Sequence, residues 1–315
     1  METIKNADKA DGGRSPSNIP DSKKKNNPLQ HLSLVDFFDT NKPWVLVKDG
    51  SLGGYFEWVP RRLRVGPWSN AATFCFTGYF CATLLVGVNL AYAEDVPDWN
   101  VSYADVSYPE VLSVKWCYQI TIGLWMVYVM SLIVRGPAGP AAWSTYTVQS
   151  WTLLTTRHFL CALAPAYAWA FEWCEKTRFP AACSMTITFF VWNFVLFPYC
   201  YCIAMKTPEK KRNFLQFATS FRLTQIHVFN FIFGVCNLCW ASPKRKLVVQ
   251  DFYLAIISTM AYMMWYLGVL DRIGVHLYPV FSPRASTATV FGVWNGLLGL
   301  YAISFFVWRH LMGVS

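Results

Sequence analysis

Long apolar runs separated by short polar stretches set the pattern of this chain. Seven runs stand out, near residues 71–92, 114–134, 144–172, 182–204, 218–240, 248–270 and 287–311. Each is long enough to cross the about 30 Å of hydrocarbon in a bilayer. Lipid offers the backbone no partner, so a helix is predicted for each run. Strands of a membrane barrel would alternate polar and apolar residues, and these runs do not. Pro165 and Pro198 fall inside runs and predict kinks rather than ends. No internal repeat of the transporter kind is visible. The expected fold class is all-α, a polytopic transmembrane helical bundle of about seven spans.

The polar segments divide the chain. Residues 1–43 open METIKNADKADGGRSPSNIPDSKKKNN and predict a disordered cytosolic tail, with no apolar core of a signal peptide. Residues 44–70 mix aromatics, glycines and arginines and predict an interfacial segment. The bundle then occupies 71–312. Composition agrees with lipid: of 315 residues 54% are hydrophobic and 17% aromatic, and only 14% are charged. A soluble domain carries roughly 25% charged residues.

The net charge of +9 is concentrated outside the apolar runs, so it reads as orientation charge and not as a nucleic-acid face. Arg61, Arg62 and Arg64 precede the first span, and the loop 93–113 has five acidic residues and no basic one. That loop also holds the glycosylation sequon Asn100-Val101-Ser102. Together they put the N-terminus inside, with the Lys206–Arg212 loop inside too. The loop Pro243-Lys244-Arg245-Lys246 disagrees, because it would then lie outside. Ten cysteines are scattered singly; Cys236-x-x-Cys239 has metal-like spacing but no partner pair and reads as small core residues. No metal or other cofactor is expected.

Polar residues inside the runs carry the candidate chemistry. His227, Asn230, Gly234 and Asn237 recur at spacings of three, four and three, which puts them on one face of the fifth span. Such a stripe faces the bundle interior. In the N-inside topology the third and fifth spans run the same way. At 1.5 Å per residue Thr147 lies about 6 Å deep and His227 roughly 9–14 Å deep, so the two can meet. Asp251 and Arg157 belong deeper, at about 25 and about 21 Å, and are expected to pair as a structural ion pair. Tyr262 falls near the depth of His227 and could help hold developing charge. Asn230, one turn from His227, could donate to an oxyanion or orient the ring.

Three stretches resemble the androgen-induced-gene family of membrane threonine hydrolases, a broad group that also includes rolling stone. They are Tyr146-Thr147-Val148-Gln149-Ser150-Trp151, His227-Val228-Phe229-Asn230 and Leu277-Tyr278-Pro279-Val280. The resemblance covers about 114–312, a six-span core to which this chain adds an N-terminal span. It implies a hydrolase of fatty-acid esters of hydroxy fatty acids, with Thr147 as nucleophile and His227 as its base. Membrane lipids and a lipid ester substrate are the implied partners; nucleic acid is not among them.

Two other classes share this pattern. A non-catalytic membrane protein of adhesion, fusion or scaffolding would use the polar stripe only for helix packing. A small transporter would use polar groups at two depths as a path. A retinal protein is excluded, since residues 287–311 contain no lysine. A G-protein-coupled receptor is disfavoured, since the third span runs outward and lacks an acidic-Arg-aromatic motif at its inner end. Gly296-x-x-Gly299 is too weak a signal to fix an oligomeric state.

Overall fold

A computed structural model describes residues 70–92, 106–136, 139–270, 278 and 287–313. The predicted tail, all but the last residue of the interfacial segment, and the Asn100 sequon lie outside the described residues. The described chain is helical, with no strand among these residues. Helix α1 spans Asn70–Tyr92, α2 Val114–Val134, α3 Tyr146–Leu163 and α4 Ala168–Lys176. Helix α5 begins at Arg178 and continues through π turns to Ala204, and α6 spans Pro208–Ala218. Helix α7 covers Phe221–Ala241, α8 runs Val249–Trp265 with a π turn to Leu270, and α9 spans Thr287–Gly313.

Helix starts follow local chemistry. Ser113, Thr145 and Thr207 cap α2, α3 and α6, each side chain accepting from the backbone N–H three residues on. A hydroxyl there satisfies a donor that the first helical turn leaves unpaired. Pro208 sits in the first turn of α6, where its missing N–H is harmless.

Four helices are long and apolar enough to cross a membrane: α2, α5 as far as Ile203, α7, and α9 from Val290. The other three predicted runs fall short on that measure for visible reasons. Helix α3 buries Arg157 and His158, and α8 opens on Asp251, which is also buried. Helix α1 has a shorter apolar stretch, Thr73–Gly87. The run 144–172 is divided. Pro165 ends α3 instead of kinking it, because its ring and missing N–H prevent the last turn from continuing, and α4 starts afresh at Ala168. At Pro198 the helix does not end: π turns on both sides carry the chain past it.

Helices α3 and α5 form the centre. Trp151 and Leu154 of α3 and Phe179 and Met185 of α5 are fully buried, together with Met126 and Val129 of α2. Trp151 Nε1 donates to the Met126 carbonyl at 3.0 Å, and Trp308 Nε1 of α9 to Thr186 Oγ1 at 2.9 Å. Meanwhile Leu85, Leu124, Phe194, Ile303 and Phe306 are more than half exposed. Large apolar side chains exposed in such number fit helices that are surrounded by lipid.

Candidate functional site

Thr147 lies in the first turn of α3, two residues after its cap, and is half-buried. His227 lies within the π turn Gln225–Phe229 of α7 and is buried. Their side chains meet: Thr147 Oγ1 is 3.4 Å from His227 Nε2. The other ring nitrogen, Nδ1, is 3.0 Å from the Leu223 carbonyl. A carbonyl only accepts, so Nδ1 carries the proton and Nε2 presents its lone pair to the threonine hydroxyl. Trp192 stacks on the imidazole with centroids 4.0 Å apart and planes 15° apart, fixing the ring's tilt. Single-turn π segments of this kind recur at functional sites, where they re-aim a side chain.

Tyr278 completes the cluster. Its hydroxyl accepts from the Tyr146 backbone N–H at 3.0 Å and lies within hydrogen-bonding reach of Thr147, both side chain and backbone. Tyr266 holds Tyr278 in turn, its hydroxyl accepting from the Tyr278 N–H at 3.2 Å. Tyr262 reaches the same depth, as its position in the sixth span predicts. There its hydroxyl donates to the Ser144 carbonyl at 3.1 Å, and its ring meets Tyr146 edge-on. It supports the Tyr146–Tyr278 contact from behind, and Tyr278 is the phenol at Thr147. The N-terminus of α3 adds the positive end of its helix dipole.

Asn230 is fully buried, but its amide donates to Ser150 Oγ at 3.1 Å, and Ser150 continues to Ser184. The imidazole is therefore oriented by the Leu223 carbonyl and not by Asn230. Asn230 instead ties α7 to α3 and α5 one turn deeper.

The expected Arg157–Asp251 pair does not form. Asp251 pairs with Arg245, Oδ1 to Nη2 at 2.8 Å and Oδ2 to Nη1 at 2.9 Å, while also accepting from the Val248 N–H at 2.8 Å. Arg245 lies six residues before Asp251 on the loop that leads into α8, so it arrives first and in bidentate geometry. Arg157, about 15 Å along α3 from Thr147 at 1.5 Å per residue, turns elsewhere. Its Nε donates to Asn237 Oδ1 at 2.9 Å and its Nη1 to the Cys174 carbonyl. Asn237 Nδ2 passes the chain on to Gln119 Oε1 at 2.7 Å, which also accepts from His158 Nδ1 at 2.6 Å.

Sequence reasoning missed the centre of this second cluster. Glu175 bonds Arg178 at 2.5 Å and Arg245 at 2.7 Å, and accepts from the Tyr108 hydroxyl at 2.5 Å. The signal was present as Glu175-x-x-Arg178, the three-residue spacing at which helical charges face each other. Trp192 carried no such signal among its aromatic neighbours. Burial alone would raise the Glu175 carboxyl, but the guanidinium groups of Arg178 and Arg245 more than offset it and hold it well below the usual carboxylate range.

No group of three or more metal-ligating side chains occurs among the described residues. No family model, curated protein or solved structure matches this chain.

Proposed function

We propose that the protein is an intramembrane hydrolase of long-chain lipid esters, with Thr147 as nucleophile and His227 as general base. The observation that carries the reading is the pair of contacts that the His227 ring makes, one at each nitrogen. The Leu223 carbonyl holds the proton on Nδ1, so the basic Nε2 faces Thr147 Oγ1 at 3.4 Å. A threonine hydroxyl is a poor nucleophile until such a base accepts its proton. The contact is long for a hydrogen bond, as catalytic contacts often are before substrate tightens them. The order of the three motifs that resemble the membrane threonine hydrolases agrees with this pairing.

The chemistry balances within these residues and the two reactants, ester and water. Thr147 Oγ1 gives its proton to His227 Nε2 and attacks the ester carbonyl. Negative charge gathers on the carbonyl oxygen, beside the Tyr278 hydroxyl and the N-terminus of α3. Collapse expels the alcohol, which takes the proton from Nε2 and leaves an acyl group on Thr147. Water then enters, gives a proton to Nε2 and attacks the acyl carbonyl. Collapse breaks the bond to Thr147, releases the fatty acid, and returns the proton from Nε2 to Thr147 Oγ1. A half-buried nucleophile near one end of the bundle suits a substrate already dissolved in lipid.

The membrane arrangement belongs to the same proposal: seven crossings, with the N-terminus and the Thr147 end of α3 on the cytosolic side. The discordant loop becomes easier to place. Arg245 is committed to Glu175 and Asp251 inside the fold, so it no longer counts as an orientation charge.

The alternative, a non-catalytic packing or scaffold protein, is favoured by Asn230 and Asn237, whose amides serve interhelical bonds. Thr147→Ala separates the two readings. The hydrolase loses lipid-ester cleavage and labelling by a fluorophosphonate probe, while still accumulating at the wild-type level. Labelling and cleavage that persist without the Thr147 hydroxyl would end the proposal.

A further inference from the structure

At the far end of the bundle from Thr147, two thiols lie against each other. Cys161 is in the last turn of α3 and Cys174 is in α4. Their sulfurs are 2.8 Å apart, inside ordinary van der Waals contact and less than 1 Å from the roughly 2.05 Å of a bonded pair. Both residues are buried, at 1% and 0% exposure. The short break at Ala164–Tyr167 lets α4 turn back on α3 and bring the two together. The surroundings are polar. The Tyr108 hydroxyl lies 3.1 Å from the Cys174 sulfur, the Ser242 hydroxyl 3.5 Å from the Cys161 sulfur, and Arg157 bonds the Cys174 carbonyl.

We infer that Cys161 and Cys174 are a site of oxidative modification, joined in the mature protein by a disulfide that pins α4 to the end of α3. The oxidant is a disulfide carrier, a protein or small-molecule dithiol in its oxidised form. One thiolate attacks the carrier's S–S bond, which breaks; a mixed disulfide forms and one carrier thiolate leaves. The second cysteine thiolate attacks the sulfur of the first and expels the other carrier thiolate. Two protein thiols lose two protons and two electrons, and the carrier's disulfide gains them. The orientation proposed above matters only for the source of oxidant, since it puts this end on the non-cytosolic side, where disulfides persist. Neither thiol is open to solvent in the folded chain. The bond therefore forms before α4 docks, and packing then shields it from reductants.

The full-length protein in its membrane is the material for the test. Denaturing lysis in excess alkylating reagent, proteolysis and mass spectrometry follow without reductant. The expected result is one cross-linked Cys161–Cys174 peptide pair, two hydrogens lighter than the two thiol peptides together, as the dominant form. Reductant should expose both residues to alkylation only when denaturant is also present. Recovery of both cysteines carrying the alkyl label, or of either one joined to another of the ten cysteines, overturns the inference. So does a bond that mild reductant opens in the native protein. Cys161→Ser adds a second reading: Cys174 becomes fully alkylated. If that variant fails to accumulate, the wild-type peptide map decides alone. Hydrolase activity plays no part in either readout, so failure of this inference is distinguishable from failure of the hydrolase reading.

Discussion

His227 has its two ring nitrogens committed to different partners, and that division is what a general base needs. One nitrogen is fixed as a donor by the Leu223 carbonyl, the other is left as a lone pair toward Thr147, and Trp192 prevents the ring from turning over. Tyr278 stands in a similar relation to the threonine. Its oxygen accepts from the Tyr146 N–H and lies within hydrogen-bonding reach of Thr147 and Tyr262. Tyr278→Phe removes that hydroxyl and keeps the ring. If the phenol stabilises the oxyanion, kcat should fall about 10²–10³-fold, the usual cost of one such donor, while KM changes little. Probe labelling at Thr147 should slow but persist. A purely structural role would instead lower the thermal stability of the protein and leave kcat of the folded fraction unchanged.

At the scale of elements, α7 shows how a helix of mixed geometry carries a polar stripe. His227, Asn230, Gly234 and Asn237 are on its buried side, as their spacing predicts, but the partners differ from one end to the other. His227 faces Thr147, Asn230 faces Ser150, and Asn237 faces Arg157 and Gln119. Gly234 packs directly against Met185 of α5. A Cβ built there would lie 1.6 Å from Met185 Sδ and 2.7 Å from its Cε, with Met185 fully buried. Gly234→Ala should therefore destabilise the protein by about 1–3 kcal/mol through overpacking. In a double-mutant cycle with Met185→Ala, the pair should lose less than the sum of the single losses. Additive losses in detergent melting curves would place the defect elsewhere.

The same helix marks what a sequence can and cannot tell. Apolar run length located α7 and its neighbours to within a few residues, because the demand of lipid for a closed helix is strong and local. The Thr147–His227 contact was legible too, from direction of travel and depth along two spans. Which of several polar groups at one depth would pair was not legible. Depth allowed Arg157 with Asp251, but rotation about the helix axis and the path of the 242–248 loop delivered Arg245 instead. The roles of Trp192 and the Leu223 carbonyl depend on a π turn, and no residue pattern in 221–229 announces one.

Across the whole molecule, polar groups gather at two places that do different work. One end of α3 holds the half-buried threonine with its base. The other end is closed by a buried charge cluster in which Glu175 of α4 joins Arg178 of α5, Arg245 of the 242–248 loop, and through Arg245 the start of α8. Tyr108 reaches it from the segment before α2, and Arg157 faces it from α3. Among the described residues Glu175 is the carboxylate shared by Arg178 and Arg245, so neutralising it removes the counter-charge that both contact. Glu175→Gln should cost about 3–5 kcal/mol at neutral pH, the usual penalty for breaking a buried pair from one side. The pH dependence follows in sign. The Glu175 carboxyl titrates lower in the folded protein than in the unfolded chain, so its contribution is complete above the ordinary glutamate value of about 4.3 and is lost as pH falls below it. Wild-type melting temperature in detergent should hold between neutral pH and that value and then drop. Glu175→Gln should start lower at neutral pH and drop less on acidification, so that the two curves converge in acid. Parallel curves would show that the cluster is not held by this carboxylate, and that the end of the bundle opposite Thr147 is closed by packing alone.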